Sequence, residues 1–524
     1  GYAQAKEECA CAYATSGPGA INLLSGVADA YYDSLPVIFL TGQLNTYEYS
    51  GIKGLRQQGF QETDMVAMAK PITKYAVQIR KPEDIVEELN KAYHIATTGR
   101  RGPVLIDLPM NIQRSEVENP VYDMTFEDKH TDAAAAQQAA DTILEALEQA
   151  KRPVIMLGHG VDSSFSQQKL IRFAQKRQIP IITSVLAKSV LGYDHPLNFG
   201  CIGGAYGHRY ANMIANAKSD LLLCFGISLC TRQIGTKVHE FARGAKIIRI
   251  DIDPYNLQRD IHENGINEVK LQAETGAVID CLAKAAAPDT EGISDWLNVC
   301  TEIKENLQAV DDATPERYPN RMIADLSDML EDTSAIAVDV GQHMVWSYQS
   351  FKNHEGQKLL FSGGHGAMGY GLPAAIGAYY ATGKPTACIC GDGALQMNIQ
   401  ELEWVKRENL PVKIMVMNNE ALGMIRHLQR DYFDCLFAGT TDGCGFASCN
   451  FAEVAKAYGI PALRMLCDAV REEAPEFLEG EGPKLLEVML EHGTFAYPKT
   501  CLGEPIHNQQ PYAPKEVYDR LMEL

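Results

Sequence analysis

Short apolar runs of strand length alternate with helical stretches along the whole chain, and that alternation admits few folds. Strands joined through a helix run parallel, and a parallel sheet needs helices on both faces to cover it. The expected class is therefore α/β, with doubly wound parallel sheets. A chain of 524 residues also exceeds what one hydrophobic core can organise, so about three such domains are expected.

The strand candidates fall into three blocks. The first, residues 1–115, contains Cys9 to Thr15, Pro36 to Thr41 and Pro103 to Leu108, with Ser16-Gly17-Pro18-Gly19 as a turn opening a helix from Ala20. The polar stretch from Ser115 to Asp132 reads as a linker. The second block, residues 133–290, carries Pro153 to Leu157, Pro180 to Thr183, Leu221 to Phe225 and Lys246 to Ile252. Another polar stretch, Asp311 to Arg321, leads into the third block, residues 320–500, with Ile336 to Val340, Thr386 to Cys390, Lys413 to Met417 and Lys484 to Met489; residues 501–524 form a tail. No short-period repeat is visible, and blocks one and three are candidates for similar folds. Gly1-Tyr2-Ala3-Gln4-Ala5 runs straight into the first strand without an initiating Met or a signal core, which points to a missing N-terminal fragment.

Composition excludes several classes of function. A formal net charge of −20 is wrong for a nucleic-acid partner, so any phosphate must be held locally. With 46% hydrophobic and 22% charged residues the chain reads as a soluble globular protein, and no apolar run reaches the roughly 18 residues of a membrane span. The 14 cysteines include no Cys-x-x-Cys pair, and Cys9/Cys11 and Cys388/Cys390 sit inside apolar runs. They are expected to be small core residues in a reducing cytoplasm.

Chemistry concentrates in the third block. After the apolar run ending at Cys390 come Gly391-Asp392-Gly393, a helical pattern through Leu395, Ile399, Leu402 and Val405, the strand Lys413 to Met417, and Asn418-Asn419. In a right-handed βαβ unit both strands end at the same sheet edge, where α/β proteins bind ligands, so Asp392 and Asn419 can converge. A hard cation such as Mg²⁺ takes oxygen ligands, and one carboxylate, one amide oxygen, a backbone carbonyl and diphosphate oxygens form a suitable shell. The flanking glycines allow backbone to approach phosphate. Taken singly, each motif is also an ordinary turn.

This stretch resembles the thiamine-diphosphate signature, and the chain as a whole is similar to the acetolactate synthase large subunit family. Thr15-Ser-Gly-Pro-Gly19, Phe60-Gln61-Glu62, Gly102-Pro-Val-Leu-Ile-Asp107, Val340-Gly-Gln-His343, Met368-Gly-Tyr-Gly371 and Leu422-Gly-Met424 carry the likeness. The resemblance implies the thiamine-diphosphate enzyme fold, with pyrimidine-binding, central and diphosphate-binding domains in that order. It implies Asp392, Asn419 and the carbonyl of Ala421 as Mg²⁺ ligands. It implies a cofactor cradle of Val340, Gly341, Gln342, His343, Gly366, Gly391, Gly393, Ala394, Leu422, Gly423 and Met424, with Met368 supporting the cofactor's bent form. Met368 and Gln61 are then the candidate catalytic residues; on spacing alone Met368 would be a core methionine.

The family's activity would decarboxylate pyruvate and pass the acyl unit to a second carbonyl, a 2-keto acid or a keto-sugar, in a homodimer or homotetramer. A simple 2-keto-acid decarboxylase is the alternative enzyme. A non-catalytic partner is the alternative of another class, because the family's activating Glu falls before Gly1. Two family positions differ: Met110 stands for a Lys and Leu428 for a Trp. Arg232, Asp251 and Asp253 match the family's region for structural FAD, although an acidic pair ending a strand also occurs in sheets that bind no nucleotide.

Overall fold

Three parallel sheets carry the chain. The structure, a computed structural model, describes residues 1–524 except 53, 119, 121, 123–124, 127–131, 162, 286–292 and 312. Much of the proposed linker up to Asp132, the end of the second block at residue 290, and residue 312 of the second polar stretch thus lie outside the described residues.

The first sheet comprises β1 (Ala10–Ala14), β2 (Val37–Gln43), β3 (Tyr75–Gln78) and β4 (Val104–Pro109), in the order β1-β2-β4-β3. The second contains β5 (Pro153–Leu157), β6 (Ile181–Thr183), β7 (Asn198–Cys201), β8 (Leu221–Phe225), β9 (Lys246–Asp251) and β10 (Glu268–Gln272), ordered β10-β9-β8-β5-β6-β7. The third contains β11 (Ala335–Val338), β12 (Lys358–Phe361), β13 (Thr386–Gly391), β14 (Val412–Asn418), β15 (Ala462–Leu466) and β16 (Lys484–Met489), ordered β12-β11-β13-β14-β16-β15. Every pairing within the three is parallel. This is the α/β class expected from the alternation. The first sheet repeats the order of the last four strands to appear in the third, β13-β14-β16-β15, so the two share a topology.

The chain divides into two compact units. One is Tyr2–His130 with Ser362–Ala367; the other is Gly1, Thr131–Phe361 and Met368–Leu524. In the first, Val27, Phe39, Met65 and Leu105 form the core between helices and sheet. In the second, the central strands β13 and β14 are buried almost throughout, which is why they read as continuous apolar runs. No helix among the described residues is long and apolar enough to cross a membrane.

Two expectations need correction. The segment after Gly1 is not a direct lead into β1: Tyr2–Lys6 is a helix, and Glu7, at φ +61°, turns the chain before the strand. The cysteines are not all core residues. Cys388 and Cys390 are buried, but Cys11 is exposed because β1 is an edge strand with alternating burial, and Cys435, Cys444 and Cys449 are exposed as well.

Candidate functional site

In the third sheet β12 lies on one side of β11 and β13 on the other, so the loops leaving β11 and β13 diverge. Such a switch point opens a crevice beyond the strand ends, where open α/β sheets bind ligands. The loop after β11 is Asp339-Val340-Gly341, leading into helix Gln342–Ser350. After β13 the helix Asp392–Met397 begins at once, with Gly391 as its N-cap. Gly391 pairs with Met417 across β13 and β14, so Asp392 and Asn418-Asn419 leave neighbouring strands at the same edge.

Asp392 is 3% exposed, and its Oδ2 has no hydrogen-bond partner. Burial pushes its carboxyl up to about 6, with partial relief from the backbone of Gly393 and Ala421 and from the Ser448 hydroxyl. A buried carboxylate with an orphaned oxygen fits a cation, which would supply the missing partner and favour the charged form. Asn419 Nδ2 donates to Gln342 Oε1 at 2.8 Å, and Asn419 Oδ1 accepts from Ala421 N at 3.2 Å. Between them Glu420 turns the chain at φ +52°. That turn is held by Asn418, which accepts from Glu420 N at 3.0 Å and donates to buried Glu487 at 2.7 Å. Among the described residues no group of three or more His, Cys, Asp or Glu side chains could hold a metal, so a cation here would rest on one carboxylate, amide and backbone oxygens.

The glycines of the site are places of close approach. A Cβ on Gly423 would stand 2.0 Å from Gln342 Oε1 and 2.8 Å from Asn419 Nδ2; one on Gly393 would meet Leu422 Cδ2 at 2.7 Å and Met368 Cε at 3.5 Å. Gln342 and Gly423 are the first residues of helices Gln342–Ser350 and Gly423–Tyr432, so two helix N-termini lie close together. His343 packs beneath Gly391, where a Cβ would lie 3.0 Å from its ring, and complete burial pushes the imidazole down to about 3, leaving it neutral. Ala394 is buried beside Gly393, while Val340, Leu422 and Met424 are half-buried. Met368, 36% exposed, reaches over Gly393.

The structure thus gathers Val340 to His343, Met368, Gly391 to Ala394 and Asn419 to Met424 in one place. Gln61 and Gly366 belong to the other unit. There Gln61 sits at φ +61° against Gly17, on which a Cβ would be 2.4 Å from the Gln61 carbonyl. Gly366 N donates to Ser362 Oγ at 2.9 Å, and Ser362 in turn bonds the Asp29 carboxylate. Asp33 accepts from Gly363 N at 2.9 Å and Gly364 N at 2.6 Å. Sequence reasoning missed Asn418 as the organiser of the turn through Glu420, and missed Ser448, Asp339, Asp29 and Asp33. A lone Asp near the end of an apolar run was the available signal for Asp339; the others become visible only through contacts distant in sequence.

The second sheet gives little support to a flavin. Asp251 accepts from Asp253 N at 2.9 Å and Asn256 Nδ2 at 2.6 Å, and Asp253 caps Tyr255 N at 2.9 Å, so these acids serve their own turn. Arg232 reaches Met344 Sδ at 3.8 Å. The switch point of this sheet lies between β5 and β8. There a Cβ on Gly158 would be 2.1 Å from Gly226 O, and Gly160 N donates to that oxygen at 3.0 Å, so the two loops touch where a nucleotide would enter. These residues fit a flavin poorly.

Comparison with known proteins agrees with the geometry. Residues 1–68 match the thiamine pyrophosphate enzyme N-terminal TPP binding domain, 140–282 the central domain, and 339–488 the C-terminal TPP binding domain. The chain is 35% identical over 511 residues to a probable acetolactate synthase large subunit of Methanocaldococcus jannaschii, covering 94% of this chain and 83% of the relative. It is 34% identical over 514 residues to a probable chloroplastic acetolactate synthase 2 of Oryza sativa subsp. japonica, covering 95% and 76%. It is 30% identical over 508 residues to an acetolactate synthase large subunit of Lactococcus lactis subsp. lactis, covering 96% and 85%.

Proposed function

The chain belongs to the acetolactate synthase family of thiamine pyrophosphate enzymes, and from that premise we propose that it is a carboligase that decarboxylates pyruvate and transfers the acyl unit to a second carbonyl. The observation that carries the reading is the buried Asp392 carboxylate with its orphaned oxygen, at the switch point of the third sheet and beside Asn419. Asp392, Asn419 and the Ala421 carbonyl hold Mg²⁺. Val340, Gly341, Gln342 and His343, with Gly391, Gly393, Ala394, Leu422, Gly423 and Met424, hold the diphosphate. The helix N-termini at Gln342 and Gly423 favour its negative charge.

When bound, thiamine diphosphate supplies the carbon nucleophile and the electron sink that decarboxylation of a 2-keto acid requires. The protein's part is placement and exclusion of water. Met368, over Gly393, would support the cofactor from one side, and Leu422 walls the cradle on the same side. Gly366 and Gln61 take part at the cofactor on the strength of the family resemblance alone. Acceptor choice differs from that of family members bearing Lys and Trp, because Met110 brings no cation and Leu428 no large ring. The acceptor is a second 2-keto acid or a keto-sugar. The working form is a cytoplasmic homodimer or homotetramer.

The test is product analysis after incubation of the full-length protein with pyruvate, Mg²⁺, thiamine diphosphate and added carbonyl acceptors. Acetolactate or an acyl adduct of the acceptor is expected. Acetaldehyde as sole product would make the protein a simple decarboxylase, and absence of CO₂ release would make it a non-catalytic partner.

A further inference from the structure

The sequence offers no hint of how Met368 is held at its place. It follows a glycine-rich loop, precedes another glycine, and its side chain is partly open to solvent. Such a residue needs its backbone fixed from outside the loop, because an unbranched side chain with several rotors cannot fix itself.

The backbone just after Met368 is fixed by one buried carboxylate. Asp339 is 1% exposed, and its Oδ1 accepts from Gly369 N at 2.9 Å while its Oδ2 accepts from Gly371 N at 2.7 Å. The same Oδ1 accepts from Val340 N at 2.7 Å, and the Asp339 backbone is bonded by His343. One side chain therefore ties the loop after β11, whose residues form the diphosphate cradle, to the backbone that carries Met368. The opposite side of that backbone is held by Asn398, whose Nδ2 donates to Gly369 O at 2.7 Å. Gly369 lies at φ +88°, a conformation that L side chains rarely adopt, and a Cβ there would meet Met397 and Asn398 at 2.8 Å. The loop has one seat, and Asp339 and Asn398 define it.

We infer that Asp339 is a positioning residue for the reaction: its buried carboxylate couples the Val340–His343 turn to Gly369 and Gly371, and so sets Met368 over Gly393. The inference rests on the proposed role of Met368 in supporting the bent cofactor. Its carboxylate is spent on the N–H groups of Val340, Gly369 and Gly371, so Asp339 acts through the loop. An amide in its place keeps the size but presents an NH₂ group to at least one backbone N–H, setting donor against donor.

Hydrogen exchange of the Gly369 and Gly371 amides in the cofactor-free protein tests the clamp without reference to activity. Asp339→Asn is expected to speed their exchange by about tenfold or more, the scale set by losing a charge-assisted hydrogen bond. Wild-type exchange rates in that variant overturn the inference. In the loaded enzyme Asp339→Asn should lower kcat by about tenfold while the KM for pyruvate moves less, since pre-organisation rather than ground-state binding is lost. In a Met368→Ala background the same substitution should cost nothing further in kcat; additive losses would show independent action and refute the coupling.

Should Asp339→Asn not fold, Asn398→Ala decides. It removes the other hold on Gly369, and wild-type exchange and kcat in that variant would refute the one-seat loop. Wild-type protein that binds no thiamine diphosphate in the presence of Mg²⁺ would instead sink the functional reading, while the exchange experiment would still judge the clamp.

Discussion

Asp392→Asn separates function from stability because the two should move in opposite directions. Burial raises the folded-state carboxyl to about 6 from an ordinary 3.8. At about 1.4 kcal/mol for each pH unit, that displacement amounts to about 3 kcal/mol. Because the folded value is the raised one, the cost is absent below pH 3.8, grows as the pH rises, and is complete above about pH 6. In the metal-free protein the substitution should therefore be nearly neutral near pH 4 and stabilising by up to about 3 kcal/mol near pH 7.5. Mg²⁺ with thiamine diphosphate should then stabilise wild type and leave the variant unchanged, since ligand binding to the folded state raises stability by mass action. Urea unfolding midpoints of both proteins at the two pH values, with and without ligands, supply the readout. Equal stability of the two metal-free proteins at both pH values would refute the burial argument. Retained Mg²⁺-dependent cofactor affinity in Asp392→Asn would refute the metal assignment.

Gly423→Ala should abolish thiamine diphosphate binding in a titration, because its Cβ would lie 2.0 Å from Gln342 Oε1, whereas Gly493→Ala, with nothing within 4 Å, should bind normally. Asn418→Ala leaves the Glu487 carboxylate, 0% exposed, without its 2.7 Å donor and should lower stability by about 1–3 kcal/mol, seen as an earlier thermal transition together with weaker Mg²⁺ binding. Leu428→Trp fills a position now 49% exposed and should shift acceptor choice towards small 2-keto acids in a competition assay; an unchanged product ratio would remove this residue from the acceptor pocket. Light scattering should return a dimer or tetramer mass, and a monomer at assay concentration would contradict the proposed assembly.

How far the sequence could be read follows from burial. Interior strands such as Leu221–Phe225 and Lys484–Met489 are covered on both faces, so they appear as continuous apolar runs, and sequence reasoning found them with these bounds. Within the three parallel sheets, the strands it missed, β3, β7, β10, β12 and β15, are all at sheet edges. Their sequences, such as Glu-Val-Lys-Leu-Gln and Ala-Leu-Arg-Met-Leu, mix polar with apolar residues because one side meets solvent or loops. The alternation determined the α/β class, and Gly391-Asp392-Gly393 with Asn418-Asn419 marked the two strand ends, because turn and strand chemistry is local.

Only the tertiary structure decided that β11 and β13 flank a switch point, that Asn418 holds the turn while Asn419 faces the site, and that one buried Asp339 joins two loops. Strand order and buried polar pairing depend on contacts between residues far apart in the chain, such as Asn418 with Glu487 and Asp339 with Gly371. No local pattern encodes which distant partner a polar group will find; closing the fold around it does, since each polar group buried there must be satisfied.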